Sequence, residues 1–142
     1  MKIQSTSKGA TSTSIKESCD CVVRSMANAS GMPYDEAHAI AKKYGRKNRK
    51  GATIFTMIAA YKEAGFKVRS THGTSAISSY TSRVTGAGRE SGVTLGKLLP
   101  TLSKGKYIVN VTGHALAVVD GKIIDTFDNS AKKRVHVVFE EV

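Results

Sequence analysis

Three residues whose side chains support nucleophilic catalysis stand far apart in this chain. Cys21 follows Asp20 at the start of an apolar segment, and a helix start favours a thiolate through the positive end of the helix dipole. His114 and Asp125 lie on the two arms of the hairpin-like segment GHALAVVDGKIIDTFDN, where an imidazole could move protons and a carboxylate could orient it. Brought together by the fold, the three would perform thiol nucleophilic catalysis.

The hairpin is the element that must position His114 and Asp125. Its dipeptide Asp120-Gly121 is a strong signal for a two-residue type I′ turn. Such a turn predicts four opposed pairs, namely Val119 with Lys122, Ala117 with Ile124, Leu116 with Asp125, and His114 with Phe127. Because side chains alternate between the faces of a strand, all members of the last two pairs share one face.

The alternation of side chains along the strand then indicates which acidic residue lies next to His114. Asp125 is a diagonal neighbour of His114, about 7 to 8 Å away at the backbone and within side-chain reach. Asp128 points to the other face, and Asn129 returns to the correct face but lies beyond the paired region. We therefore predict that Asp125 orients the imidazole; a one-residue bulge would reverse that choice.

The rest of the chain predicts helices first and strands afterwards. Apolar periodicity and end signals place helices at about 21–29, 33–45 and 53–64. Strands are predicted at FKVRS, KYIVNVT, HALAVV, KIIDTF and RVHVVFEE, with a short helical segment at VTLGKLLPTL. This order indicates an α+β fold in which N-terminal helices pack on a C-terminal antiparallel sheet.

The 142 residues correspond to a single domain. Residues 1–17 form a polar N-terminal arm, and residues 70–92 are rich in Ser, Thr and Gly. The composition of the second segment argues against regular core structure. It leaves open a loose hairpin or mobile flap of functional importance and a disordered surface loop.

The net charge of +11 would draw the protein towards nucleic acid, acidic proteins or anionic surfaces. The densest basic cluster consists of Lys42, Lys43, Arg46, Lys47, Arg49 and Lys50. This cluster is a candidate polyanion contact, and the alternative is a solvated helix end whose lysines complement the helix dipole. It lacks the interleaved aromatic residues of a stacking platform for single-stranded nucleic acid.

Neither a cofactor, a metal nor a membrane segment is expected. Cys19 and Cys21 are too close for an ordinary disulfide, and the scattered histidines do not have the spacing of a zinc site. No apolar run approaches the roughly 20 residues that span a bilayer, and the first residues lack the apolar stretch of a secretory signal. We expect a cytoplasmic protein.

Two segments carry a resemblance to a known family. DCVVRSMANASGMPYDEA, which opens a helix with Cys21, and GKYIVNVTGHALAVVDGKIIDTFDN together resemble the papain-like cysteine peptidases. They are most similar to the bacteriocin-processing, or double-glycine, branch, and the chain also resembles small papain-like proteins encoded by bacteriophages. The likeness covers about residues 18–128, with specific motifs at its two ends.

This resemblance implies a papain-like fold and a protein or peptide substrate, in the host cytoplasm if the protein is phage-encoded. It implies Cys21 as nucleophile, His114 as general base and then acid, and Asp125 as the orienting group. It further implies an oxyanion hole made by the amide of the nucleophile and a side chain, usually Gln, several residues upstream. Here Ile15 stands six residues before Cys21.

The resemblance therefore does not identify the second oxyanion donor. The only glutamine of the chain is Gln4, so Ser14, Ser18 or a main-chain amide would have to take its place. Loss of one oxyanion donor typically costs about 10²–10³ in rate.

Three functional hypotheses follow. The first is a cysteine-dependent hydrolase, peptidase- or isopeptidase-like, that uses Cys21, His114 and Asp125. The second is a catalytically silent papain-like binding module of phage origin that engages a host protein. The third is a basic nucleic-acid-associated protein, which would show a steep salt dependence of binding.

Overall fold

The computed structural model describes residues 2–3, 20–47, 53–125 and 129–142. These residues form five α-helices and nine β-strands. The helices are α1 (Cys21–Ser30), α2 (Tyr34–Lys43), α3 (Ile54–Glu63), α4 (Ala76–Thr85) and α5 (Leu95–Leu98), the last followed by a 3₁₀ turn at Leu99–Leu102. The strands are β1 (Lys2–Ile3), β2 (Phe66–His72), β3 (Gly88–Glu90), β4 (Val93–Thr94), β5 (Lys106–Val111), β6 (His114–Val119), β7 (Lys122–Ile124), β8 (Asn129–Ser130) and β9 (Arg134–Glu141).

Seven of the strands form one sheet in the order β3-β2-β9-β5-β6-β7, with β4 also paired to β9. Strands β2 and β3 are parallel, and the other pairs are antiparallel. The short strands β1 and β8 form a separate antiparallel pair. The predicted α+β class and the predominantly antiparallel sheet are confirmed.

The sheet has an apolar cluster on each face. Helices α1, α2 and α3 pack over one face, where Met26, Tyr61, Ala117 and Phe139 belong to a single buried cluster. The opposite face is covered by α5 and the 3₁₀ turn, whose Leu95 and other leucines pack against the strands. A sheet buried on both sides is a rigid platform for residues at the ends of its central strands.

The expectation of a loop or flap at residues 70–92 is wrong. The segment contains the end of β2, the whole of α4 and strand β3. Ser75 caps α4 by accepting a hydrogen bond from the Ser78 amide, and Gly86 ends the helix with a positive φ of 73°. Ser78 is buried despite its polarity, because its Oγ donates to the His72 carbonyl (2.6 Å) and to the His136 carbonyl (3.2 Å) and so holds this small helix against β2 and β9.

His38 also differs from expectation. Its place on the polar side of α2 predicts a solvent-facing ring, but the residue is buried and its ring stacks on Tyr34. The reason is that α2 lies between α1 and α3 and is contacted from both sides. A helix with two packed neighbours buries more than one stripe of its surface.

Candidate active site

Helix α1 presents Cys21 at its first residue. The Cys21 thiol is free and half-buried. The helix packs on β6 and β5, and the facing residues Ala115 and Ala117 are small and fully buried. Small side chains let the helix approach the sheet closely, and this brings its N-terminus to the end of β6 where His114 lies.

A tight turn sets His114 at the first position of β6. Gly113, immediately before it, has a φ of 72°, which favours glycine, and His114 pairs with Val111 of β5 across the turn. Two turns further along α1, the Asn28 amide donates a hydrogen bond of 3.5 Å to the carbonyl of Ile124 in β7. The helix is therefore joined to the hairpin near Asp125.

The β6–β7 hairpin has the predicted turn and register. Asp120 and Gly121 both have positive φ, 50° and 81°, as a type I′ turn requires. The observed pairs are Val119 with Lys122, Val118 with Ile123, and Ala117 with Ile124. Two of the four predicted pairs are thus observed, Val119 with Lys122 and Ala117 with Ile124. Asp125 follows β7 directly, and its Oδ2 lies 2.6 Å from Nε2 of His114, as strand parity predicts.

The contact between His114 and Asp125 is shielded from water. Their side chains are only 11% and 5% exposed. Because Nε2 is engaged by Asp125, Nδ1 is the ring nitrogen left to serve the thiol, and Cys21 and His114 line the same cleft. The three residues that the sequence singles out thus form one contiguous group.

The proton affinity of His114 reflects these neighbours. Burial lowers the pKa of the imidazole, but the hydrogen bonds to Asp125 and Cys21 and the negative charges of both partners together raise it to about 9. A raised histidine pKa means that the imidazolium is the form present at neutral pH. The group can therefore balance a thiolate and hold a proton ready for a leaving group.

Asn129 also belongs to the site. Strand alternation predicts that it shares a face with His114 and Asp125, but it predicts no contact for it. It is fully buried, and its Nδ2 donates a 3.0 Å hydrogen bond to Oδ2 of Asp125. Lys133 in turn donates from Nζ to Oδ1 of Asn129 at 3.3 Å. His114 and Asn129 therefore contact the same oxygen of Asp125, and the contacts with Asn129 and Lys133 hold that carboxylate in place. Strand parity was the signal for Asn129, but no pattern in the sequence indicated Lys133.

The N-terminus of α1 is not capped by the side chain that precedes it. Asp20 is the residue before the helix, but its carboxylate makes no capping hydrogen bond. Instead Oδ2 accepts from the Tyr34 hydroxyl at 2.7 Å and from Nε of Arg24 at 3.1 Å, which turn it away from the first turn. The main-chain N–H groups at the helix start are thus not taken by Asp20 and point towards the Cys21 end of the helix.

A cleft of about 210 Å³ opens beside Cys21 and His114. Most of its wall is apolar and comes from Val22, Ile54, Met57, Ile77, Val111 and Ala115. Ile77 belongs to α4, so the helix found within residues 70–92 borders the candidate site. Asn110 of β5 adds an amide group to this wall, which the sequence did not indicate.

Several residues of the sequence analysis lie outside the described part of the chain: Gln4, Ser14, Ile15, Ser18, Cys19, Arg49, Lys50, Phe127 and Asp128. The side-chain donor of the oxyanion hole and the alternative thiol are among them. The observations that bear on oxyanion binding are therefore those on the main chain of α1.

The basic cluster at 42–50 is not one continuous surface of lysine and arginine. Arg46 is only 4% exposed, because the chain turns at Gly45, whose φ is 104°, and carries Arg46 inward against the helices. Lys43 donates to Glu63 at 2.7 Å. Lys42 and Lys47 are exposed. The expectation that Arg46 contributes to a polyanion contact is wrong.

Within the described residues, no three His, Cys, Asp or Glu side chains gather in a group that could hold a metal ion. No helix in that part of the chain is long and apolar enough to cross a membrane. Comparisons of the chain with protein-family models, with curated proteins and with solved structures give no match.

Proposed function

We propose that the protein is a cysteine-dependent hydrolase of papain-like type that cleaves a peptide, isopeptide or related amide bond. The observation that carries the proposal is the contiguous arrangement of Cys21, His114 and Asp125 at the mouth of a cleft. Structural ion pairs also perturb histidines, but they do not require a free thiol at a helix start as the third member.

In the proposed reaction the Cys21 thiolate attacks the carbonyl carbon of the scissile amide. A C–S bond forms and the carbonyl electrons move to oxygen, where N–H groups at the start of α1 stabilise the charge. His114 transfers its Nδ1 proton to the leaving nitrogen, the C–N bond breaks, and an amine leaves. Water then attacks the thioester, His114 takes its proton, and the carboxylic acid departs with the thiolate restored.

Asp125 has a positioning role in this scheme. Its carboxylate holds Nε2–H of His114, so that the ring keeps Nδ1 directed to the thiol and its positive charge is stabilised. Asn129 and Lys133 keep the carboxylate in place. Removal of the imidazole would cost roughly 10²–10⁴ in rate, the range typical of general acid–base catalysis.

A peptide mixture incubated with the protein in H₂¹⁸O tests this proposal. Hydrolysis creates new C-termini that carry one ¹⁸O atom, and mass spectrometry identifies them whichever peptide in the mixture is cleaved. We expect such termini with the parent protein and none with Cys21→Ser, while His136→Gln, a change at a histidine outside the site, retains them. If the parent produces neither labelled termini nor a thioester adduct on Cys21, the silent binding module is the better account.

A further inference from the structure

Asn110 places a polar side chain on the wall of the cleft. The residue is the last but one of β5 and pairs with Ala115, the neighbour of His114 in β6. It is 7% exposed and lines the cleft beside Cys21. Its Oδ1 is buried and has no hydrogen-bond partner among the described residues.

An unpaired buried carbonyl oxygen opposes folding, because it has lost its hydrogen bonds to water without replacement. Turning the amide over would not relieve the problem, since two N–H donors would then occupy the same place. A leucine has nearly the same shape and would fill the position with no unpaired atom. An asparagine here is therefore better explained by a bound partner than by packing.

The surroundings define that partner. The cleft holds about 210 Å³, which suits one side chain of moderate size. Apart from the Cys21–His114 pair, no charged side chain of the described residues lines it. The χ2 torsion of an asparagine is broad, so Oδ1 can turn towards a donor in the cleft. A short, uncharged side chain with a hydroxyl or amide donor would fit the volume of the cleft, pack against its apolar wall and donate a hydrogen bond to Oδ1 of Asn110.

We propose that Asn110 is a specificity-determining residue that accepts a hydrogen bond from a hydroxyl- or amide-bearing side chain of the substrate, such as threonine. This inference rests on the proposed function, because it assumes that a peptide is presented to Cys21. It adds a substrate class: peptides with a small polar uncharged residue near the scissile bond, in preference to their aliphatic counterparts.

Tripeptide vinyl sulfones that differ only by Thr or Val at one position test this proposal, since the two side chains are nearly isosteric. The Cys21 thiolate adds to the vinyl β-carbon to form a C–S bond, and the resulting carbanion takes a proton from the His114 imidazolium. The rate of adduct formation is measured by intact mass for the parent, Asn110→Leu and Asn110→Val, each in the Cys19→Ser background.

The parent should react about tenfold faster with the Thr probe than with the Val probe at one position, as expected when a buried acceptor is left unpaired. Asn110→Leu should lose or reverse this preference, mainly through a slower reaction with the Thr probe, and should unfold at an equal or higher denaturant concentration. Asn110→Val gives the same comparison with a second side-chain shape.

Two results would overturn the role of Asn110. One is a parent with no Thr preference at any position; the other is an Asn110→Leu variant that slows both probes equally, which would indicate a contact to the reacting group. Failure of the proposed function looks different. In that case Cys21 would react with no vinyl sulfone, and its reaction with iodoacetamide would be indifferent to His114→Ala.

Discussion

Burial lowers the pKa of the His114 imidazole, but its interactions with Asp125 and Cys21 raise it by more than burial lowers it. Its pKa of about 9 lies well above the ordinary histidine value of 6.5. The charge matters for the chemistry, since an imidazolium both balances the thiolate and supplies the proton that an amide leaving group needs. The raised pKa also makes the free energy of unfolding depend on pH.

Unfolding free energy should reveal this linkage as a function of pH. The folded protein binds the His114 proton more tightly than the unfolded chain, so the stabilisation is fully present below pH 6.5 and is lost as pH rises through about 9. Relative to His114→Gln, the parent should lose roughly 1 to 2 kcal/mol across this window, less than the full shift implies because the ring borders an open cleft. Denaturant titrations at several pH values measure it.

His136 provides a control of opposite sign. Burial lowers its pKa, so the folded protein favours the neutral ring, and this contribution is present above pH 6.5 and lost as pH falls. The difference between the parent and His136→Gln should therefore shrink towards acid, while the difference for His114→Gln shrinks towards alkali. If the stability differences of the two variants from the parent changed with pH in the same direction, the assignment of charge to His114 would be contradicted.

The hairpin and α4 show what the sequence could and could not predict among the elements. The dipeptide Asp120-Gly121 strongly favours one type of turn, and side chains along a strand alternate between its two faces. Together these two rules place His114 and Asp125 on the same face, so their contact could be predicted from local features of the sequence. The end signals of α4, Ser75 and Gly86, were present in the sequence. They were outweighed by the polar composition of the segment, whose burial depends on long-range hydrogen bonds from Ser75 and Ser78 to His136 of β9.

The same limitation applies to the candidate site. Its three central residues could be predicted because turn chemistry and a helix start are local features. The contacts of Asn129 with Asp125 and of Lys133 with Asn129 join residues four apart, but Asn129 and Lys133 lie outside every predicted helix and strand. Asn110 lines the cleft beside Cys21 from a strand that is distant in sequence. Single-sequence periodicity carries no information on either kind of contact. The burial of Arg46 is likewise set by the packing of α2 and α3.

Removal of the α4 cap tests whether residues 70–92 form an ordered element. Ser75→Ala should lower the free energy of unfolding by roughly 1 to 2 kcal/mol, because the Ser78 amide and Nδ1 of His136 lose their partner. Ser91→Ala, at an exposed position of the same segment, should have little effect. Chemical denaturation measures both, and equal stability of the two variants would mean that the cap does not hold the helix.

The excess of positive charge is a property of the whole molecule. The chain has 22 Lys and Arg residues against 11 Asp and Glu residues. Arg46 is buried and Lys43 is paired to Glu63. The described part of the 42–50 cluster therefore has no more positive charge available to a polyanion than other exposed lysines provide. Any attraction to polyanions is then expected to be diffuse and strongly salt-dependent.

Heparin chromatography distinguishes diffuse attraction from a local patch. Lys42→Gln with Lys47→Gln should lower the eluting salt concentration by about the same amount as Lys62→Gln with Lys122→Gln, a second exposed pair. Each pair removes two charges, and screening makes their positions nearly equivalent at moderate salt. A much larger decrease for the first pair would restore the 42–50 cluster as a specific contact.

The central claim is that His114 and Asp125 activate Cys21, and the pH–rate profile of Cys21 alkylation by iodoacetamide tests it most directly. Measured in the Cys19→Ser background, the parent should react readily at pH 6.5, and His114→Ala at least tenfold more slowly, because the thiolate has lost its counter-charge. Asp125→Asn should also slow the reaction, whereas Asp120→Asn, the same change at the hairpin turn, should match the parent. Profiles that coincide for all four proteins would contradict the account.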